Sequence, residues 1–177
     1  MKILYWIGGA VVALFALLLA VGFVLPREVS ASRSIVIDAT AEEVFPYVAD
    51  FNRFYDWSPW TKRDPEMENI VEGEPATVGH VNRWSGNSQV GTGSQTIVEV
   101  RAPDMVRTRL EFEGQAGFAE ALMTLTPVAD GVEVTWSFST DLGASPFARL
   151  FGPIIGTAVS KDYNEGLANL KAMVEAD

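Results

Sequence analysis

The side chains that most often carry acid–base, nucleophilic or metal chemistry are sparse in this chain. There is one histidine, His80, and no cysteine among 177 residues. A general acid or base must reach its substrate with a tuned pKa, and a metal site gathers several His, Cys, Asp or Glu side chains. We therefore expect no metal site and no cofactor. His80 is predicted to be either buried with satisfied hydrogen bonds or solvent-facing.

Paired carboxylates could act as the acid and base of a glycoside hydrolase. Three acidic pairs occur, namely Glu42/Glu43, Glu72/Glu74 and Glu111/Glu113. Glu42 and Glu43 fall in the first turn of a predicted helix, where the helix dipole favours negative charge. Glu111 and Glu113 fall on the polar side of an alternating strand, and no pattern places any pair in a cleft. A structural interpretation is therefore preferred for all three.

Sequence motifs for catalysis or nucleotide binding are absent: there is no Gly-x-Ser-x-Gly elbow, Walker loop or dinucleotide fingerprint. Residues 91–94 are glycine-rich, but they do not open a helix, as a phosphate-cradling loop would. They are predicted to form a turn between strands. No catalytic residue is predicted, and a non-enzymatic function is favoured.

Large aromatic side chains are the remaining chemical signal, because apolar pockets with a few polar groups are the usual ligand sites. The candidates for lining such a pocket are Trp57, Trp60, Trp84, Phe112, Trp136 and Tyr163. Aromatic residues also fill the core of any domain of this size, and periodicity indicates a face rather than a void. Each candidate could be a core residue, while the set as a whole supports a pocket hypothesis.

The elements that would position these aromatics begin with a strand at 34–38. Thr40 and Glu43 then form a capping box that starts a helix, and Pro46 is expected to divide that helix in two. Six further strands are predicted at 67–72, 79–85, 92–101, 106–113, 118–127 and 132–139. A tight turn at Asp130-Gly131 joins the last two.

The chain ends in a predicted amphipathic helix. Its apolar stripe consists of Val159, Tyr163, Leu167, Leu170 and Val174. A strand, two helices, six strands and a long helix make an α+β plan. We expect an antiparallel sheet that curves around the last helix.

Residues 3–25 contain no charged side chain. As a helix this run would span roughly 34 Å, against a hydrocarbon core of about 30 Å. We therefore predict a transmembrane anchor over residues 1–26, a linker over 27–32 and a soluble domain over 33–177. The alternative is a secretory signal cleaved near residues 29–31, although signal cores are usually about 7–15 residues long.

Charge restricts the partners and the location. The chain has 13 basic and 23 acidic residues. Without Lys2, Arg27 and Glu28, residues 32–177 carry a formal charge of −11. This field repels phosphate backbones, so no nucleic-acid partner is expected. The N-terminus is similar to an export signal left uncut, which favours a single-pass membrane protein with an extracytoplasmic domain.

A stripe of small residues on the anchor helix could support a weak homodimer. The stripe consists of Gly9, Ala13, Ala16 and Ala20. Small residues are also common in spanning helices for other reasons, and this second interpretation is preferred.

Several short stretches, taken in order, resemble the START-like (SRPBCC) superfamily, and within it the polyketide cyclase/dehydrase-like group with an N-terminal membrane anchor. The stretches are 33–39 leading into 41–45, 51–60 with its Trp57-Ser58-Pro59-Trp60 ending, 91–94, 112–114 and 162–171. The resemblance covers nearly the whole chain. It implies the helix-grip fold, in which a seven-stranded antiparallel sheet wraps around a long C-terminal helix with an apolar cavity between them.

This fold hosts lipid carriers, receptors and cyclases, so it does not assign a function by itself. The expected function is a membrane-tethered domain, anchored through residues 3–25, that binds a lipid or other apolar small molecule in its cavity. Two alternatives stay open. One is a polyketide cyclase/dehydrase-like enzyme, and the other is a protein-interaction module at the membrane.

Overall fold

The computed structural model describes residues 2–115 and 117–176. Residue 1 of the predicted anchor and residues 116 and 177 of the predicted domain lie outside the described residues. The helices are α1 (Lys2–Val24), α2 (Ala41–Ala49), α3 (Phe51–Trp57), α4 (Pro59–Arg63), α5 (Pro146–Leu150) and α6 (Gly152–Val174). The strands are β1 (Glu28–Ile37), β2 (Glu68–Glu72), β3 (Val81–Ser85), β4 (Thr92–Arg101), β5 (Met105–Phe112), β6 (Ala119–Val128) and β7 (Gly131–Asp141).

Within the described residues, the strands form one seven-stranded antiparallel sheet in the order β1-β7-β6-β5-β4-β3-β2. The predicted alternation appears as one buried face. On β7, for example, Val132, Val134 and Trp136 are buried. Helix α6 packs on the sheet with Leu167 and Leu170 buried. The predicted α+β architecture, a helix-grip fold with a preceding apolar helix, is confirmed.

Strand β1 begins at Glu28, six residues before the predicted start, and it occupies most of the segment predicted as a linker. Residues 28–32 pair in register with 137–141 of β7. Arg27 Nη2 also donates to Asp141 Oδ2 at 2.9 Å. The prediction missed this extension because small residues and serines have little strand propensity, and pairing with a long neighbouring strand determined the outcome. The connection from α1 to the sheet is therefore short.

The capping box at the start of α2 is confirmed. The Thr40 backbone N–H donates to Glu43 Oε2 at 2.8 Å, and the Glu43 N–H donates to Thr40 Oγ1 at 3.3 Å. The helix is divided as predicted, but at Asp50 rather than at Pro46, which lies inside α2. The break falls there because Asp50 is extended and its side chain accepts from the Asn52 N–H, capping α3.

One helix of the described residues is long and apolar enough to cross a membrane. It covers Tyr5–Val24 with a mean hydropathy of 2.7, and most of its side chains are exposed. A signal sequence has the same character. The C-terminal half of α1 packs against α5, which the sequence did not predict. The ring centroids of Phe15 and Phe147 lie 5.6 Å apart, and Arg149 Nη1 donates to the Phe23 carbonyl at 3.4 Å.

Candidate ligand-binding cavity

The cavity forms because α6 covers only the part of the inner sheet face that lies near β1. Helix α6 packs chiefly on β1, so the inner surface of β3, β4 and β5 is left for other elements to cover. Helices α3 and α4 and the loop before β4 complete the enclosure. The result is a cavity of about 360 Å³ between the sheet, these helices and α6.

Most of the cavity wall is apolar. The apolar lining residues include Phe54, Trp60, Met67, Trp84, Val90, Leu110, Phe112, Phe138, Ala158 and Val159. The polar lining residues include Tyr55, Asn82, Gln95, Arg63 and Asp162. A mostly apolar wall with a few polar groups is the usual character of a small-molecule site.

Four of the six predicted aromatic residues face this cavity: Trp60, Trp84, Phe112 and Tyr163. The other two, Trp57 and Trp136, are not among its lining residues and are 1% and 2% exposed. Trp57 is held in the core because its Nε1 donates to the Tyr47 carbonyl at 3.0 Å. Trp136 lies directly behind the wall, with its ring stacked on Tyr163 at 3.8 Å between centroids.

One end of the cavity is made by Trp84 and Phe112, whose rings meet edge to face at 5.7 Å. Gly93 lies between these two residues in the strand register of β3, β4 and β5. A Cβ on Gly93 would clash with the Glu111 carbonyl oxygen and come within 2.7 Å of the Trp84 ring, so the glycine leaves room for the neighbouring strand and for the aromatic side chain beside it. Gly91 lies in a turn with positive φ, whereas Thr92–Arg101 is strand, so the predicted turn at 91–94 extends less far than expected.

A cluster of buried polar side chains lies at the sheet side of the cavity. Asn82 on β3 stands directly opposite Gln95 on β4, and both are less than 10% exposed. Gln95 Nε2 donates to Thr108 Oγ1 at 2.9 Å, and Asn82 Nδ2 donates to the Tyr55 hydroxyl. Burial raises the pKa of Tyr55 well above its ordinary value of 10.0, so this phenol stays protonated at neutral pH.

These polar residues were missed at the sequence level, although a signal existed. Asn82 precedes Trp84 by two positions, and residues two apart on a strand share a face. If Trp84 faces inward, Asn82 must do so as well. A polar residue at an inward position is informative because buried polar groups need partners.

An ion pair between α4 and α6 borders the cavity. Arg63 Nη1 donates to Asp162 Oδ2 at 3.0 Å, and Arg63 Nη2 donates to Asp162 Oδ1. The hydrogen bond to Asp162 raises the pKa of Arg63 above its ordinary value. The loop between β3 and β4 is hydrogen-bonded to the C-terminal end of α4, since the Asn87 side chain donates to the Arg63 carbonyl at 3.1 Å.

His80 lies outside the cavity lining and is fully buried. Its Nε2 accepts from the Phe51 N–H at 3.0 Å, and its Nδ1 lies 3.1 Å from the Glu72 carbonyl and 3.2 Å from the Gly73 carbonyl. The ring also stacks on Phe51 with 4.8 Å between centroids. Of the two predicted situations, His80 therefore has the buried one with satisfied hydrogen bonds.

The acidic pairs are distributed over the outside of the molecule. Glu43 belongs to the capping box, and the hydrogen bond from the Thr40 backbone lowers its pKa. Glu72 pairs with Arg83 across β2 and β3, while Glu111 and Glu113 are exposed. The described residues contain no group of three or more His, Cys, Asp or Glu side chains that could hold a metal ion.

Comparison with solved structures finds the same fold in proteins of low sequence identity. A protein from Rhodobacter sphaeroides is 17% identical with a TM-score of 0.60, covering 84% of this chain and 94% of its own. The protein CV1439 from Chromobacterium violaceum is 18% identical with a TM-score of 0.57, covering 84% and 98%. StfQ, a di-domain ARO/CYC protein from the steffimycin biosynthetic pathway, is 13% identical with a TM-score of 0.63, covering 84% of this chain and 51% of its own.

Comparison with curated proteins finds no match. Residues 28–175 match the protein family described as polyketide cyclase / dehydrase and lipid transport. The matched range starts at the first residue of β1 and ends one residue past α6, so it contains the whole sheet and every element that borders the cavity. On this evidence the chain belongs to the polyketide cyclase/dehydrase and lipid transport family.

Proposed function

We propose that this protein is a membrane-tethered binding domain that holds one compact apolar molecule in the cavity between the sheet and helices α3, α4 and α6. The observation that carries the proposal is an aromatic and aliphatic cavity of about 360 Å³ with a small polar cluster at one side. Family membership supports it, because the family includes lipid transport proteins.

The cavity volume limits the size of the ligand. Small-molecule sites have volumes of roughly 300–1,000 Å³, and this cavity lies near the lower end of that range. We therefore expect a ligand of a few rings or a single short chain rather than a lipid with two long acyl chains. The stacked and edge-to-face aromatic rings of the wall favour flat ring systems.

The tether is the second part of the proposal. Helix α1 is long enough to cross a bilayer, and the short connection from Val24 to β1 would keep the domain close to the membrane surface. Around α5, large apolar side chains are also exposed, namely Phe147, Phe151 and Ile154. Their position next to α1 suits contact with the membrane interface. Closeness to the bilayer raises the effective concentration of a membrane-derived ligand.

An enzymatic function of the cyclase or dehydrase type is the second candidate, and the likeness to StfQ favours it. The ionisable side chains among the described lining residues are Tyr55, Arg63, Asp162 and Tyr163. Burial raises the pKa of both tyrosines well above 10.0, and Asp162 is paired with Arg63. These groups are better suited to orienting a bound molecule than to exchanging protons at neutral pH.

The binding proposal can be tested on the full chain purified in mild detergent. Native mass spectrometry should detect a bound small molecule, either co-purified or taken up from a membrane lipid extract. Leu110→Trp would fill the cavity and should abolish the bound species. Leu122→Trp, the same change on the outer face of the neighbouring strand, is the matched control and should retain it. A wild-type protein that takes up nothing would contradict the proposal.

The membrane and enzyme parts need separate measurements. Full-length protein should stay with the membrane pellet after alkaline extraction, and a C-terminal reporter should be active only outside the cytoplasm. Recovery of the chain in the soluble fraction, or a reporter active inside, would contradict the tether or its orientation. If Tyr55→Phe combined with Tyr163→Phe abolished cellular function while ligand binding remained, the enzyme would become the better hypothesis.

A further inference from the structure

The buried polar cluster of the cavity contains an acceptor with no partner. Asn82 is only 2% exposed and lines the cavity. Its Nδ2 donates to the Tyr55 hydroxyl, whereas its Oδ1 is buried and has no hydrogen-bond partner among the described residues. Buried side-chain acceptors in folded proteins are nearly always paired with protein or with another molecule.

Trp136 Nε1 is the other such atom in the described part of the chain, but Trp136 is not a lining residue. Of these two atoms, Asn82 Oδ1 is the one that belongs to a lining residue of the cavity. Because a carbonyl oxygen only accepts, the complementary group must donate a hydrogen.

The surroundings indicate that the complementary group is neutral. Tyr55 and Gln95 lie next to Asn82, and Thr108 is hydrogen-bonded to Gln95; none of these side chains carries a charge at neutral pH. The lining cation Arg63 already forms two hydrogen bonds with Asp162. A ligand carboxylate would have to be buried without a free cation, which is costly.

We infer that the ligand is an apolar alcohol or phenol whose hydroxyl group donates to Asn82 Oδ1, and that carboxylate-bearing analogues of the same size are rejected. A hydroxyl group can also accept a hydrogen bond. One ligand hydroxyl can therefore donate to Asn82 Oδ1 and accept from the Tyr55 hydroxyl. This inference rests on the proposed function, since it names the chemical class of ligand for the same cavity.

The test compares three flat probes that differ in one group: naphthalene, 2-naphthol and 2-naphthoate. The full chain in detergent micelles is titrated near neutral pH, and the indole and side-chain amide signals are followed by ¹H–¹⁵N NMR. The variant is Asn82→Leu, which keeps the side-chain volume and removes the acceptor. Asn69→Leu, the same change at an exposed position of β2, is the matched control.

The quantity to measure is the preference for 2-naphthol over naphthalene. It is compared between proteins in the same micelles, so that partitioning of the probes into detergent cancels. One net hydrogen bond predicts a preference about three- to tenfold larger in wild type than in Asn82→Leu. Asn69→Leu should match wild type, and naphthalene affinity should not fall in Asn82→Leu. In wild type alone, the Asn82 amide signals should shift with 2-naphthol more than with naphthalene.

The outcomes separate this inference from the function on which it rests. If naphthalene binds wild type but the preference is the same in Asn82→Leu, the inference is wrong and the binding function stands. If 2-naphthoate binds best of the three probes, the inference that the ligand group is a neutral hydroxyl is wrong. If none of the probes or lipid-extract components binds wild type, the binding function itself fails, and the inference fails with it. Should Asn82→Leu not fold, the wild-type amide shifts decide the question.

Discussion

The single histidine provides the sharpest stability test of this structure. His80 connects two distant parts of the chain: its Nε2 accepts from the Phe51 N–H at the start of α3, and its Nδ1 faces carbonyls at the end of β2. The perturbation is His80→Leu, which keeps an apolar side chain of similar size in this fully buried site. It removes both hydrogen bonds without opening a large cavity.

The expected loss follows from those two hydrogen bonds. Each buried donor or acceptor left unpaired costs about 1–3 kcal/mol, and loss of ring stacking on Phe51 adds to this. With two groups left unpaired, we expect His80→Leu to lower the free energy of unfolding by about 2–6 kcal/mol. In His80→Gln the side-chain carbonyl can still accept from the Phe51 N–H, so the expected loss is roughly half as large.

Urea unfolding of the full chain in mild detergent, followed by tryptophan fluorescence, measures these losses. With a denaturant slope of about 2 kcal/mol per molar, His80→Leu should lower the urea midpoint by about 1–3 M. The reasoning is refuted if His80→Leu is as stable as wild type, or is more stable than His80→Gln. Because His80 does not line the cavity, folded His80→Gln should bind ligand normally, and loss of binding would contradict the structural role.

Two further predictions concern packing and pH. Gly166→Ala should destabilise the fold by about 1–2 kcal/mol, because the added Cβ would lie 2.9 Å from the Trp136 ring. Overpacking of this kind costs about 1–3 kcal/mol, which outweighs the gain of up to about 1 kcal/mol in helix propensity. Gly156→Ala in the same helix meets only ordinary contacts and should not destabilise, so equal thermal midpoints for the two variants would refute this. Acid should also destabilise the domain, because the hydrogen bonds from Thr40 lower the pKa of Glu43 in the folded state below its ordinary value of 4.5. The stabilisation from these bonds is present above pH 4.5 and is lost as the pH falls through the folded-state pKa. Glu43→Gln should lose less stability than wild type between about pH 6 and pH 3.5. If the urea midpoint of Glu43→Gln has the same pH dependence as that of wild type, the capping box is not a source of the acid destabilisation.

Local patterns in the sequence were sufficient for most of the fold. The capping box at Thr40 and Glu43 could be predicted because it involves residues three apart. Strand β4 has the predicted bounds, and β5 to β7 differ from them by a few residues, since alternation directly indicates a strand with one buried face. The extension of β1 to Glu28 could not be predicted, because its cause is the length of β7, more than 100 residues away.

The sequence by itself determined which side chains face inward, because the periods of strand and helix are local properties of the backbone. Only the tertiary structure decided which inward residues meet a void. Trp57 and Trp60 are three positions apart, yet one is sealed in the core and the other faces the cavity. On β7, Trp136 is covered by Tyr163 while Phe138, two residues on, lines the cavity. The physical reason is that the cavity lies wherever α6 stops covering the sheet, and that position depends on the packing of the whole domain.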